Sequence, residues 1–332
     1  MAEVWLDNLM VKRESKSYVD SLYAILTHTG QFQGTKYLLA GYTGMAFKLS
    51  VHCRLLPMSV TAYGQWGEAH RSGIDNLGIF TIWDGGRTRH ATFEYYQREA
   101  VNWVKRSLDE GKGVIYWIPE FGVIHGYDDA DRIFYVQDGW SKEPQILLYD
   151  NFGLNFTGFW YCQVFGEQVH ISEKDMLLES LRLAIEDWDI PYRLLPDRNI
   201  ASGRMAYDVW VHALQSGDYD ESGAAYLLES YCQSRTEIHM YLQDFRGIWN
   251  ELDQACACYD QLGTLIHRMK GCMVQQDNRR MLRPDATDEL IQDLLKAKEL
   301  EEQAIHYFRI ISLKFPDRKR STVPRWGAHS AR

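Results

Sequence analysis

The chain has few cysteines, and their spacing is not that of a zinc or redox site. Its 332 residues include six cysteines, at positions 53, 162, 232, 256, 258 and 272, and no two of them form a C-x-x-C pair. Cys256 and Cys258 stand two apart in a helical pattern, which directs their side chains to different sides of a helix. The sequence therefore predicts reduced thiols, no metal and no other cofactor.

Long apolar runs and a concentrated basic face are absent too. No stretch approaches the roughly 18 apolar residues that a membrane span requires, and the start MAEVWLDNLMVKRESK lacks the order of a secretion signal. The formal net charge is -9, and only the tail DRKRSTVPRWGAHSAR is basic. Binding to nucleic acid or to an anionic membrane requires a basic surface. We therefore expect a cytoplasmic protein that binds neither.

The first half of the chain has the pattern of a β-sheet with two helices. Five runs are rich in β-branched and aromatic residues and are bounded by Gly, Asp and Asn: KGVIYWIP, EFGVIHGYD, RIFYVQD, QILLYDNFG and NFTGFWYCQVF. SYVDSLYAILTHTG and TFEYYQREAVNWVKRSLDEGKG have helical spacing, and Gly30 and Gly111 are placed to end the two helices. Residues 1–166 are predicted to form an α+β domain.

From Ser172 onward the apolar spacing is helical almost throughout. Ser172 and Asp175 have capping-box spacing ahead of an apolar stripe. Five helices are expected, in SEKDMLLESLRLAIEDW, SGRMAYDVWVHALQSG, ESGAAYLLESYCQSRTEIHMYLQDF, GIWNELDQACACYDQLGTLIHRMKGCM and TDELIQDLLKAKELEEQAIHYFRIISLKF. Residues 167–332 are therefore predicted to be an all-α helical bundle that ends in a basic tail.

One predicted hairpin carries several ionisable side chains at its strand ends. In IPEFGVIHGYDDADRIFYVQDG, Asp128, Asp129 and Asp131 supply turn chemistry between two apolar strands. Glu120 precedes the first strand, and Asp138 follows the second.

Five motifs give the chain a resemblance to a known family. They are SYVDSLYAILTHTG, LLAGYTGMAFKL, EFGVIHGYDD, FYVQDG and ASGRMAYDVWVHAL. The first half resembles a papain-like cysteine peptidase domain of the bacteriocin-leader-processing kind. It is more closely similar to the amino-terminal domain of the butirosin biosynthesis protein H-like family of acyltransferase relatives, in which a helical carboxy-terminal domain follows.

The resemblance implies a nucleophilic cysteine at the start of the first helix, a histidine at the start of a central strand and an acid at the end of the next. A helix N-terminus and an adjacent imidazole both favour a thiolate. Here Ser17 or Tyr18 occupies the nucleophile's place. When Gly126-Tyr127-Asp128 is aligned with the family motif, Glu120 falls at the position of the family's histidine. Of the three implied catalytic residues, only the acid is present, as Asp138. Cysteine-peptidase chemistry is therefore not expected.

Each candidate catalytic residue also has a structural interpretation. Ser17 and Asp20 have capping-box spacing, which favours a helix cap over a nucleophile. Glu120 could be a solvated edge charge, and Asp138 could bind its own turn. His125 is interpreted as a histidine that is exposed or hydrogen-bonded within the fold, ahead of a base.

Substrate binding is assigned to five residues: Gly44, Gln65, Trp66, His125 and Tyr127. The Gly-rich loop AGYTGMAFKL lacks the ending of a phosphate-binding loop, so Gly44 indicates tight packing or a cleft wall. Gln65 and Trp66 offer a hydrogen-bond donor and an aromatic platform.

Two classes of function follow. In the first, the protein belongs to natural-product or peptide metabolism and binds a small molecule or peptide in a papain-like cleft without cysteine chemistry. In the second, it is an acyltransferase or amide hydrolase that uses Glu120 and Asp138 as acid/base residues. The expected partner in either class is a small-molecule amine or an acyl or peptidyl substrate, which a carrier protein could present.

Overall fold

The computed structural model describes residues 3–189, 199–276 and 279–316, and the basic tail predicted from the sequence lies outside them. The fold is mixed α/β, with an antiparallel sheet and a C-terminal helical region. Helices are α1 (Ser17–His28), α2 (Lys36–Tyr42), α3 (Trp66–Asn76), α4 (Phe93–Asp109), α5 (Glu173–Asp189), α6 (Arg204–Ser216), α7 (Glu221–Asp244), α8 (Asn250–Gly271) and α9 (Thr287–Lys314). Strands are β1 (Glu3–Trp5), β2 (Ser50–His52), β3 (Ile79–Arg87), β4 (Val114–Trp117), β5 (Phe121–Asp128), β6 (Ile133–Gln137), β7 (Gln145–Leu148), β8 (Phe159–Gln168), β9 (Ile200–Ser202), β10 (Met273–Gln276) and β11 (Arg279–Leu282).

The described chain forms two compact units. The first comprises residues 1–40 and 74–171, and the second comprises residues 41–73 and 172–332. The predicted division at residue 166 differs from this one, because residues 41–73 group with the C-terminal helices. Among the described residues, no helix is long and apolar enough to cross a membrane.

A seven-stranded sheet is the centre of the described first unit. Its order is β3-β8-β4-β5-β6-β7, and β1 pairs with the second half of β5. β4 pairs with Phe121–Ile124 of β5, and β1 pairs with residues 126–128 along the same edge of β5. The two short strands therefore follow one another along β5. The five predicted strands are confirmed as β4 to β8.

Two helices pack on this sheet. α1 contacts β4 and β5, and α4 contacts β1, β4, β5 and β8. Gly30 and Gly111, at φ 72° and 78°, follow the two helices as predicted, because glycine adopts this left-handed conformation without strain.

The C-terminal region contains the five expected helices and some β-structure besides. In the part described, α9 contacts α5, α6 and α8, and α7 contacts α8. The Ser172 hydroxyl accepts the backbone N–H of Asp175 at 3.2 Å, which confirms the predicted cap of α5. The prediction of an all-α region needs correction, since β10 and β11 form an antiparallel pair beside α7 and β9 pairs with β2.

A buried ion pair joins two helices of the second unit. The guanidinium of Arg235 on α7 donates to the carboxylate of Glu301 on α9, at 2.7 Å and 3.0 Å. The Tyr207 hydroxyl donates to the same carboxylate at 2.5 Å, and the guanidinium lies 4.5 Å from the centre of the Tyr231 ring. The bidentate geometry and the added donor offset the loss of hydration that burial imposes on both charges.

Candidate functional site

Ser17 is the first residue of α1, and its side chain does not cap that helix. The N-cap position is held by Lys16, which makes no side-chain capping hydrogen bond. The capping box predicted from Ser17 and Asp20 is therefore corrected. Asp20 instead accepts the backbone N–H groups of Glu14 and Ser15, at 3.2 Å and 3.1 Å, ahead of the helix.

The Ser17 hydroxyl is directed toward a carboxylate from the sheet. Its Oγ donates a hydrogen bond to Oε2 of Glu120, the residue immediately before β5. Ser17 is buried and Glu120 is half-buried. The carboxylate thus lies at the N-terminus of α1, where the helix dipole favours negative charge. Two predicted site residues 103 positions apart come into contact in this way.

A network of ion pairs around the buried carboxylate of Asp20, here called the clamp, fixes the segment that leads into Ser17. The Lys36 ammonium donates to Asp20 at 2.7 Å, to Glu14 at 2.8 Å and to the carbonyl of Lys12 at 3.0 Å. Burial raises the pKa of Asp20, and the hydrogen bond and charge of Lys36 oppose that rise. This clamp sets the path of the chain at the start of α1.

Tyr18 belongs to the core beneath the site. It is fully buried, and its hydroxyl donates to Oε1 of Gln163 on β8 at 2.9 Å. The Tyr161 hydroxyl donates to the same oxygen at 3.0 Å, while Nε2 of Gln163 donates to the Thr81 hydroxyl at 3.0 Å. Burial raises the pKa of Tyr18 well above its ordinary value, so its phenol stays protonated and orders the interior.

Asp138 makes its hydrogen bonds within its own turn. It accepts the backbone N–H groups of Trp140 and Ser141, both at 2.8 Å, and the Gln145 amide at 2.6 Å. Burial acts to raise its pKa, but the hydrogen bonds from Ser141 and Trp140 and the charge of Arg13 prevail and lower it. These contacts are those of the predicted turn residue.

His125 stands at an irregularity in β5. The register between β5 and β6 shifts between Ile124 and Gly126, so His125 interrupts the strict alternation of side chains. It is buried, and both ring nitrogens lack a hydrogen-bond partner among the described residues. The predicted exposed or hydrogen-bonded histidine is therefore corrected. Burial lowers the pKa of His125 to about 4, which keeps the imidazole neutral.

Tyr127 is directed to α4. Its hydroxyl donates to Asp109 at 2.7 Å, and the Lys105 ammonium lies 5.1 Å from the centre of its ring. Burial, followed by the hydrogen bond and charge of Asp109, raises the pKa of Tyr127 to about 12. These contacts attach the end of β5 to α4.

The other three predicted binding residues belong to the second unit. Gly44 has φ 72°, and a Cβ there would lie 3.0 Å from that of Leu183, so tight packing accounts for the glycine. Trp66 begins α3, and its indole N–H donates to the Thr61 carbonyl at 2.6 Å. Gln65, just before α3, is exposed.

The cysteines of the described residues differ in their exposure. Cys162 of the first unit is fully buried, and burial raises the pKa of its thiol. Cys53, in the second unit, is exposed. No three His, Cys, Asp or Glu side chains of the described ranges come together as a metal site.

No protein-family model and no curated protein matches this chain. The resemblance to the butirosin biosynthesis protein H-like family therefore stays a prediction from the motifs.

Sequence reasoning missed Arg13 as a part of this region. Its guanidinium donates to the carbonyl of Phe121 at 2.6 Å, next to Glu120, and its charge contributes to the lowered pKa of Asp138. Arg13 lies in the run VKRESK, which has the pattern of a solvated segment, so no local signal marks it. The site therefore contains a hydroxyl and a carboxylate in contact, with a guanidinium close by on the chain that enters α1.

Proposed function

We propose that the first unit is a papain-like, butirosin biosynthesis protein H-like domain that binds a small molecule or peptide at Ser17 and Glu120 without cysteine chemistry. The observation that carries the proposal is the hydrogen bond from Ser17 Oγ to Glu120. It joins the two positions where the resembled family has its nucleophile and its base.

The chemistry of this pair favours binding of an amine. A carboxylate accepts hydrogen bonds and attracts a cation, and a serine hydroxyl can donate or accept. An ammonium group bound to Glu120 could therefore keep Ser17 as a second polar contact. A small-molecule amine or a peptide amino terminus, free or presented by a carrier protein, fits these groups.

Calorimetry with an aminoglycoside and with a short peptide that has a free amino terminus tests this proposal. Glu120→Gln keeps the shape of the side chain and removes its charge, so affinity should fall about tenfold, the scale of a charge-assisted hydrogen bond. Glu110→Gln is the matched control, since Glu110 is exposed in the same unit and paired with Lys112. Equal affinities of wild type and Glu120→Gln, or no binding by wild type, would contradict the proposal.

The same hydrogen bond also favours a second candidate, an acyltransferase or amide hydrolase. In that reaction Glu120 would accept the Ser17 proton while Oγ attacks an acyl carbon, and the proton would pass to the leaving amine. Asp138 would influence this reaction only indirectly, through the turn that it stabilises and through its charge interaction with Arg13, because its own hydrogen bonds are local. A fluorophosphonate reagent distinguishes this candidate: a phosphonylated Ser17 in wild type, and none in Glu120→Gln, would support it.

A further inference from the structure

Three aromatic rings from three strands of the first unit meet beside Gly126. The centre of the Trp5 ring lies 4.4 Å from that of His125 and 4.8 Å from that of Tyr135. Trp5 and Tyr135 both pair with Gly126, one from each neighbouring strand. A Cβ at Gly126 would lie 2.7 Å from the carbonyl oxygen of Val4, 3.2 Å from the Tyr135 ring and 3.3 Å from the Trp5 ring, so glycine lets the paired strand and both rings approach the backbone here. We call Trp5, His125 and Tyr135 the Trp5 cluster.

The rings of the Trp5 cluster meet edge to face and are not stacked. The Trp5 plane is inclined by 76° to His125 and by 65° to Tyr135. Trp5 is 44% exposed and Tyr135 is half-buried, so solutes reach the cluster from solvent. His125, at 1% exposure, lies at the buried side of the cluster. Its ring nitrogens are buried and have no hydrogen-bond partner among the described residues, so a solute at the cluster contacts Trp5 and Tyr135 and not these nitrogens.

Carboxylates lie on the strands that form the cluster: Glu3 pairs with Asp128, two positions along from the pair of Trp5 and Gly126. After burial, the charges of Asp128, Glu3 and Asp131 raise the pKa of Tyr135, which places their negative potential at this ring. Glu3 and Asp131 are exposed. The faces of aromatic rings are themselves negative, because of their quadrupole.

From this geometry we infer that the Trp5 cluster binds a primary alkylammonium group, such as a lysine side chain of a peptide or a small amine. Indole and phenol faces attract a cation that lies within about 6 Å, and the carboxylates supply long-range attraction.

This site is separate from the one at Ser17 and Glu120. Five residues of extended chain, roughly 16 Å, separate His125 from Glu120. The inference therefore does not depend on the proposed function, and Glu120→Gln should leave the Trp5 cluster unaffected.

Fluorine NMR of the full chain tests the inference, with 5-fluorotryptophan in place of its tryptophans. The resonance of Trp5 is identified by its loss in Trp5→Phe, and that of Trp140, which is 71% exposed, by its loss in Trp140→Phe. The protein is titrated with n-butylammonium chloride and with n-butanol at constant ionic strength. We expect a saturable shift of the Trp5 resonance with butylammonium only, and no shift of the Trp140 resonance.

Two variants assign the contributions of ring and charge. Tyr135→Leu and the pair Glu3→Gln with Asp131→Asn should each weaken butylammonium binding about threefold or more, the scale of an exposed cation–π or charge contact. The carboxylates are exposed, so their amides preserve the fold. An equal response to butanol, parallel shifts of Trp140, or unchanged affinity in both variants would overturn the inference.

Discussion

At the scale of single residues, the family motifs identify one contact, and local patterns fail at Asp20 and His125. The motifs single out Ser17 and Glu120, whose side chains are hydrogen-bonded, whereas Asp20, predicted as part of a helix cap, bonds the chain ahead of α1. His125 was expected to be exposed or hydrogen-bonded, because strand alternation gives no warning of a register shift. The positions of these residues follow from contacts more than a hundred residues apart, which local patterns do not encode.

The buried imidazole of His125 should make the first unit sensitive to acid. Its pKa in the folded protein, about 4, lies below the ordinary 6.5. The unfolded chain therefore binds this proton more readily, and stability that is complete above pH 6.5 falls as the pH decreases toward 4. The loss is about 3 kcal/mol at most, from 1.36 kcal/mol for each pKa unit. Urea unfolding at pH 7 and pH 4.5 measures it.

His125→Phe keeps a planar ring and removes the titration, so the difference in stability between the two pH values should shrink. His90→Gln is the control, because His90 is exposed in the same unit. A wild-type pH dependence that His125→Phe retains in full would assign the sensitivity to other groups.

At the scale of elements, periodicity predicted the long segments and missed the short ones. α1, α4 and the five C-terminal helices have apolar spacing over several turns, and β4 to β8 have dense β-branched and aromatic residues. β1 has three residues, and β3 contains Gly85 and Gly86, so neither has a recognisable pattern. The last three residues of α2 belong to the segment predicted as a Gly-rich loop, because Gly41 lies there. Such elements are stabilised by their partners rather than by their own sequence.

The stability of the start of α1 should depend on the buried carboxylate of Asp20 and not on the exposed carboxylate of Glu14. Lys36 bonds both Asp20, whose side chain is 0% exposed, and Glu14, whose side chain is 61% exposed. Asp20→Asn leaves the ammonium poorly compensated and weakens two backbone hydrogen bonds, so we expect a loss of about 2–3 kcal/mol. Glu14→Gln should cost less than about 1 kcal/mol. Denaturant unfolding of both variants compares them, and equal losses would contradict the clamp.

At the scale of the whole molecule, composition predicted the mixed α/β character and the C-terminal helical region. It did not predict which segments group together, because residues 41–73 have no compositional boundary on either side. Their grouping is decided by particular pairs, such as Lys48 with Asp187 at 2.9 Å and the backbone ladder between β2 and β9.

The ion pair inside the second unit should show strong coupling between its partners. Glu301→Gln leaves Arg235 buried without a counter-charge, so unfolding free energy should fall by about 3 kcal/mol or more. Arg235→Met combined with Glu301→Leu removes both charges and should lie within about 1 kcal/mol of wild type. Thermal and urea unfolding of Arg235→Met, of Glu301→Leu and of the double variant form the cycle. Additive losses would show that the pair is not coupled.

The order of segments along the chain has a consequence for synthesis and for proteolysis. The first unit is interrupted by residues 41–73, and these residues belong with helices that begin only at residue 173. As the chain is translated, β2 is made 150 residues before its partner β9, since Val51 pairs with Ala201. The first unit can therefore assemble while the second waits for its remaining strand and helices. No single cut yields two complete units, because any fragment that contains all of the first also carries away an essential segment of the second.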